Sequence, residues 1–250
     1  MDAAWPAADR EETGGWLLRA ASGVTQRANS VWPREPGVDA HAQLAALRAA
    51  RLWYRARRLP LIFQVFDHPR HAPLNAVLDA EGFTRQSETL VMVRDGLDPA
   101  AAADRGVEIS TEPSGEWLRL WWSVDGRGDD AALEVARGIL TGCPSMYALV
   151  RDDDGNPAAV GRLAVPHAGA GGQGGLYCMA TRPDARRRGH ASAVLRALLG
   201  EGARLGLAGY WLLVTAANAG ARELYARAGF EESGRYLYRQ ERPKRHLTGC

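Results

Sequence analysis

The sequence predicts a mixed α/β fold arranged around sheet structure and built from two related halves. Three observations carry that expectation. Hydrophobic residues make up 46% and charged residues 24% of the 250 positions, a globular balance. Short strand-like apolar runs alternate with helix-period segments along the second half. The first half repeats the order strand, polar loop, helix, Gly-Phe, strand that closes the second.

The elements of the second half follow in order. "VEIS" from Val107 reads as a strand, and "SGEWLRLWW" as an amphipathic helix with Ser114 as its N-cap. "DDAALEVARGIL" is a further helix. "SMYALV" and "AAVGRLAV" are strands joined by "RDDDGNP", whose Asp-Gly-Asn is a turn signal. After the glycine-rich "HAGAGGQGG", expected as a flexible loop, come the strand "LYCMAT", a helix over Ala191–Arg204, the strand "YWLLV", the helix "AGARELYARAG" and a strand in "RYLYR".

In the first half, "GWLLRAASGVTQRANSVWP" reads as a hairpin turning at Ser22-Gly23, followed by a helix from about Asp39 to Arg58. The repeat is close in register. Val65 to Gly82 is 17 positions against 15 from Val214 to Gly229, and Gly37 to Val65 is 28 against 25 from Gly189 to Val214. The expected domains are 1–98 and 107–242, with a linker at 99–106 and a flexible tail at 243–250.

Composition restricts the function classes. The formal net charge of +2 gives no global field for nucleic acid or an anionic membrane. Arginine supplies almost all positive charge, Lys244 being the single lysine. Cys143, Cys178 and Cys250 show no metal-binding spacing, and Cys178 sits in an apolar run as a core residue rather than a nucleophile. No long apolar stretch or leader pattern occurs, so a cytoplasmic protein is expected.

The stretch "TRPDARRRGHA" carries chemistry. A strand ends near Thr181, and a helix begins around Gly189. The first amides of a helix lack intrahelical partners and lie at the positive end of the macrodipole. Glycine there lets a phosphate approach the backbone, and Arg186, Arg187 and Arg188 add forked donors. A solvated charge run and a nucleic-acid contact are the other readings of these arginines, the latter without a second basic patch behind it.

The hexapeptide Arg186-Arg187-Arg188-Gly189-His190-Ala191 resembles motif A of the GCN5-related N-acetyltransferases, Arg/Gln-x-x-Gly-x-Gly/Ala. "VTAANAGARELYARAGFEESGRYLYR" resembles their motif B, with Asn218, Ala221, Leu224, Tyr225, Gly229 and Phe230 in the usual positions. The likeness covers roughly Val107 to Arg239. It implies a fold of the acyl-CoA N-acyltransferase type and acetyl-CoA as co-substrate, with direct transfer to an amine in a ternary complex. The loop amides of motif A would bind the coenzyme A pyrophosphate. The preceding strand would splay from its neighbour and set Met179, Ala180 and Thr181 along the pantetheine arm. Tyr225 would protonate the departing thiolate, a role suited to a phenol of ordinary pKa near ~10. Asn218 would cap its helix, touch the cofactor, or both. His190 is expected to face outward at the helix start. No motif selects a general base among Glu108, Glu116, Asp125 and His167.

The first half departs from the motif where the chemistry lies. Its turn reads Arg34-Glu35-Pro36-Gly37-Val38-Asp39, in which Pro36 lacks an amide donor and two carboxylates oppose a phosphate. Leu78 stands where Tyr225 stands in the second half. This half is therefore expected to brace its partner rather than bind coenzyme A. "GWLLRAASGVTQRANSVWP" is also similar to the amino-terminal portion of two-domain acetyltransferases of high-GC bacteria. Trp16, Trp32 and Trp53 are read as packing residues in preference to pocket aromatics. The acceptor is expected to be a small-molecule or peptide amine and the protein a monomer or homodimer. A coenzyme A-responsive module without turnover is the alternative.

Overall fold

The computed structural model describes residues 1–96, 106–166 and 171–242. The expected linker (apart from Gly106), the tail at 243–250, His167 and Cys250 lie outside the described residues, as does the start of the glycine-rich loop. The strands are β1 (Asp9–Thr13), β2 (Trp16–Ala20), β3 (Trp32–Pro33), β4 (Ile62–Phe66), β5 (Thr84–Asp95), β6 (Val107–Ser110), β7 (Ser145–Arg151), β8 (Pro157–Ala164), β9 (Gln173–Thr181), β10 (Gly209–Thr215) and β11 (Glu231–Gln240). The helices are α1 (Ala40–Ala56), α2 (Ala72–Ala80), α3 (Gly115–Asp125), α4 (Asp130–Thr141), α5 (His190–Arg204) and α6 (Ala219–Arg227). The mixed α/β order expected of the second half is observed.

Two compact units form. One comprises Met1–Pro6 and Leu90–Ser233, the other Ala7–Thr89 and Gly234–Cys250. These units do not coincide with two consecutive segments of the sequence. The distal end of β5 belongs to the first unit and the distal part of β11 to the second.

In the first unit the strand order is β5-β10-β9-β8-β7-β6. β6 through β9 run antiparallel, while β9 and β10 are parallel and connected by α5. Val194, Leu195, Leu198 and Leu199 of α5 bury one helix stripe in a core with Leu163, Leu176, Leu212 and Phe230. Each such side chain contributes about 2 kcal/mol by burial. α3 starts as predicted, Ser114 accepting from the Trp117 amide at 3.1 Å. The Trp117 indole donates to the carbonyls of Ala148 (3.0 Å) and Gly161 (3.2 Å), fixing the helix on β7 and β8. Arg162 is fully buried and donates to Ser145 Oγ, Ala4 O and Cys143 Sγ. Trp5 stacks on Tyr177 with ring centroids 5.1 Å apart.

In the second unit β11 lies between β4 and β5, with Tyr236 opposite Phe66 and Gln240 opposite Ile62. Trp16, Leu18, Leu47, Tyr54, Phe63, Leu78 and Phe83 form its core. Trp16 and Trp53 are thus packing residues. The buried Arg239 guanidinium is held by Asn75, Asp79 and the Phe83 carbonyl. The β2 strand pairs fully with β1, a strand the sequence reading missed, through a turn at Gly14-Gly15. The polar run "DREET" carried no apolar alternation to announce it. Ser22 and Gly23 do take left-handed φ values of 50° and 77°, but β2 meets β3 there through only two residue pairs.

Candidate active site

The site begins with a strand that loses one neighbour. β9 pairs with β10 from Gln173 opposite Gly209 to Leu176 opposite Leu212. Past that point β9 runs on to Thr181 and β10 to Thr215 with no further ladder pairs between them. On its other side β9 stays paired with β8, where Val160 opposes Ala180 and Ala159 opposes Thr181. The register of that ladder shifts opposite Tyr177–Ala180, and Cys178 there has φ = 54°. A left-handed non-glycine residue in a strand costs on the order of 1–3 kcal/mol and marks a bulge held by its surroundings. Met179, Ala180 and Thr181 therefore keep a backbone edge free of ladder bonds on the β10 side.

The chain then turns into α5. Arg182 anchors the turn by donating to Asp152 Oδ2 and Asp184 Oδ1 (both 2.6 Å) and to the Pro157 carbonyl (2.9 Å). Sequence reasoning missed this residue, since its partner Asp152 lies 30 positions upstream and no motif links them. Arg187 has φ = 65°, and Gly189, at the N-cap, has φ = 88°. The cap contributes no side-chain hydrogen bond, and no acidic residue occupies the first turn of α5. The amides of His190, Ala191 and Ser192 thus have no intrahelical acceptor. Arg186 reaches the Thr181 carbonyl at 3.5 Å, while Arg187 and Arg188 form no ion pair among the described residues. A Cβ placed on Gly189 would meet nothing within 4 Å, so the space before the helix mouth is open.

His190 differs from expectation. It is half-buried, and its Nε2 is buried without a hydrogen-bond partner, so the ring turns inward. Asn218 fills its capping role, its Oδ1 accepting from the Ala221 amide at 3.1 Å.

Tyr225 lies on α6, 7% exposed, with its ring edge-on to Phe230 at 6.1 Å. Its hydroxyl makes no hydrogen bond among the described residues. Burial, then the charges of Asp125 and Cys178, push the phenol above its ordinary value. Of the proposed base candidates, Glu108 and Glu116 are both bound by Arg151 at 2.6 and 2.8 Å. Asp125, at the end of α3, is the one whose charge acts on Tyr225.

The matching turn of the first half is built differently. Asp39 caps α1, accepting from the His41 and Ala42 amides. Gln43 donates to the carbonyls of Pro36 and Gly37. Strand-edge carbonyls are occupied as well: Pro33 O lies 3.3 Å from His71 Nε2, and Arg34 O accepts from Arg70. The Trp32 and Phe66 rings approach to 6.4 Å between β3 and β4. Leu78 and Tyr225 are true equivalents, since each carbonyl accepts from the amide of the Phe in the following Gly-Phe pair. Among the described residues no group of three or more His, Cys, Asp or Glu side chains could hold a metal ion. No described helix is long and apolar enough to cross a membrane.

Comparison with known proteins agrees with this geometry. Residues 1–239 match the family described as "Probable histone acetyltransferase Rv0428c C-terminal". The chain is 26% identical to the uncharacterized N-acetyltransferase YobR of Bacillus subtilis, over 96% of this chain and 95% of that one. It is 32% identical to the probable histone acetyltransferase Rv0428c of Mycobacterium tuberculosis, over 57% of this chain and 47% of the relative. To the mycothiol acetyltransferase of Clavibacter michiganensis it is 40% identical, over 68% of this chain and 58% of the relative. The chain thus spans only about half the length of the latter two. Among solved structures, a GCN5-related N-acetyltransferase from Kribbella flavida shares the fold with a TM-score of 0.68 at 20% identity, covering 96% of this chain and 91% of that one. A tandem acetyltransferase of this kind from the clavulanic acid biosynthesis pathway gives 0.64 at 17% identity, over 86% and 76%. The chain belongs to the Rv0428c C-terminal family and is a GCN5-related N-acetyltransferase.

Proposed function

We propose that the protein transfers an acetyl group from acetyl-CoA to an amine by direct attack within a ternary complex, in the unit that contains α5 and α6. The observation that carries this reading is the convergence of three features. They are the unpaired β9 edge at Met179–Thr181, the uncapped α5 mouth behind Arg186–Arg188, and the unpartnered hydroxyl of Tyr225 on its buried ring. A diphosphate needs unpaired amides and cations, which the turn from Arg186 to Ala191 offers. His190 and Asn218 line the two helix starts beside it. Backbone groups along Met179, Ala180 and Thr181 suit the amides of a pantetheine arm and would polarise a thioester carbonyl.

Acetyl-CoA supplies an activated carbonyl, and the protein's own residues handle orientation and protons. Burial keeps the Tyr225 phenol protonated across the neutral range, so it can give its proton to a departing sulfur. In the first half the equivalent turn is capped by Asp39, and Leu78 cannot donate, which supports a bracing role for that half. Tyr225→Phe should leave acetyl-CoA affinity within about twofold by calorimetry and lower kcat by about 10²-fold in a thiol-release assay. An unchanged rate across pH would remove Tyr225 from the acid role. Cofactor binding without thiol release against a broad amine panel would favour a non-catalytic sensor.

A further inference from the structure

We infer that His71 is an acid-sensitive clasp, whose neutral ring ties β3 to the entry of α2, holds the cleft of the first half shut, and lets go when it takes a proton. The clasp lies within the first half and stands whether or not the transfer reading holds.

The cleft exists because β3 and β4 barely pair. Val31 donates to the Ile62 carbonyl and Gln64 to the Val31 carbonyl, both at 2.8 Å, around the isolated bridge of Val31 and Phe63. Beyond that bridge β3 pairs with β2 and β4 with β11, and no ladder joins β3 to β4 among the described residues. The same separation opens between β9 and β10 after Leu176 in the second half. There the strand edge stays free. In the first half His71 Nε2 reaches across, 3.3 Å from the Pro33 carbonyl.

Position along the chain shows what was exchanged. From His71 to Leu78 and from Asn218 to Tyr225 is 7 positions each, and both residues are the N-cap of the helix that follows. Asn218 uses its side chain for that cap, whereas His71 makes no side-chain cap hydrogen bond. An uncapped helix start is the less stable arrangement. The His71 ring therefore forgoes a stabilising local bond to make one across the cleft.

The chemistry of the ring makes the tie conditional. A carbonyl only accepts, so Nε2 carries the hydrogen and Nδ1 holds a bare lone pair. His71 is 1% exposed, and its Nδ1 is buried without a hydrogen-bond partner. A second proton would sit on Nδ1 with no acceptor to receive it, which is costly in a buried place. Burial holds the imidazole below its ordinary value; the Pro33 carbonyl works against this, and the charges of Arg70 and His68 add to it. From β4 the Phe66 ring lies 6.4 Å away, backed by Tyr236 of β11 at 5.4 Å from Phe66. Arg34, beside Pro33, turns its guanidinium to Glu12 at 3.0 Å. The other tie over the gap, from Arg70 to the Arg34 carbonyl at 3.1 Å, is exposed. The unfolded or opened ring takes a proton near pH ~6.5 and the closed one only at lower pH. The closed form is therefore fully favoured above about 6.5 and weakens as pH falls below it.

The test follows hydrogen exchange of the Val31 and Gln64 amides in the full chain at about pH 7.5 and about pH 5, corrected for intrinsic rates, with the β8 amides as reference. Wild type should lose at least about tenfold in protection at Val31 and Gln64 at the lower pH, with β8 unchanged. His71→Gln can still donate to Pro33 but takes no proton, so its protection should be the same at both pH values. Equal protection of wild type at both overturns the inference. A pH dependence in His71→Gln as large as in wild type does so too, because the titrating group would then lie elsewhere. So does an equal loss in β8, which would mean that the whole chain opens. If His71→Gln does not fold, the ring nitrogen shifts of wild type decide. Hydrogen on Nε2 alone at the higher pH, with Nδ1 gaining one as protection falls, supports the clasp; hydrogen on Nδ1 at the higher pH overturns it.

Discussion

Gly189→Glu separates a phosphate-binding turn from a solvated run of arginines. Nothing lies within 4 Å of a Cβ at this position, so the substitution causes no internal clash. Its structural cost is the left-handed φ of 88°, about 1–2 kcal/mol for a side-chain-bearing residue. For a protein of this size that corresponds to a fall in melting temperature of about 2–4 °C per kcal/mol. The new carboxylate would stand about 5 Å from an anion seated on the α5 amides. At an effective dielectric of about 40, each pair of like unit charges at that distance repels by about 1.7 kcal/mol. Two phosphate charges give about 3 kcal/mol, or roughly a hundredfold loss of affinity.

Titration calorimetry with acetyl-CoA measures the effect, with circular dichroism to check folding. Gly189→Ala is the control, since it carries the same backbone strain without the charge. The Glu variant should bind at least tenfold more weakly than the Ala variant. If a folded Glu variant binds acetyl-CoA within threefold of wild type, the α5 mouth does not hold the diphosphate. The arginines would then be the solvated run that their sequence equally permits.

Two further outcomes concern stability. Asp79→Ala leaves the fully buried Arg239 guanidinium with only Asn75 and the Phe83 carbonyl, and should cost about 2 kcal/mol in urea unfolding. A loss below about 0.5 kcal/mol would show that the pair is incidental. The Arg182 hydrogen bond, with help from the Asn156 amide, holds the Asp152 carboxyl below the usual carboxylate range. A depressed folded-state value stabilises above the unfolded pKa of about 3.9 and is lost as pH falls through the folded value. The melting-temperature gap between wild type and Asp152→Asn should therefore be full at pH 7 and shrink progressively as pH falls below about 4. A gap that does not shrink as pH falls below about 4 would assign the effect to packing.

The parts of the site that were legible in the sequence are those whose physics is local. A helix mouth with Gly189, the cap at Asn218 and the Gly-Phe stop after Tyr225 each depend on neighbours within a few residues. The inward His190 ring was not legible, because its direction is set by what packs over the first turn of α5. Arg182 was missed for a related reason, its partner being fixed by the β8–β9 ladder rather than by spacing along the chain. The strand β1 was invisible because an exposed polar strand against a buried neighbour shows no alternation of its own.

The repeat of strand, helix and Gly-Phe was equally legible, but its use was not. Halves that duplicate by sequence suggest two segments closing one after the other. Instead the unit holding α5 and α6 includes the end of β5, and the other unit includes the end of β11. Both strands directly follow a Gly-Phe stop, at Gly82-Phe83 and Gly229-Phe230, whose left-handed glycines (φ = 78° and 83°) send the chain out of α2 and α6 in the same way. Identical local exits can therefore serve different chemistry. What separates the two copies is the occupation of backbone groups at the preceding turn. Asp39, Gln43, His71 and Arg70 occupy amides and carbonyls in the first copy. In the second, Gly189 supplies no cap, and β9 loses β10 after Leu176. On the proposed reading, activity resides where the fold leaves its own hydrogen bonds unfinished. On the same reading, finishing them with side chains is how the first copy would become a scaffold.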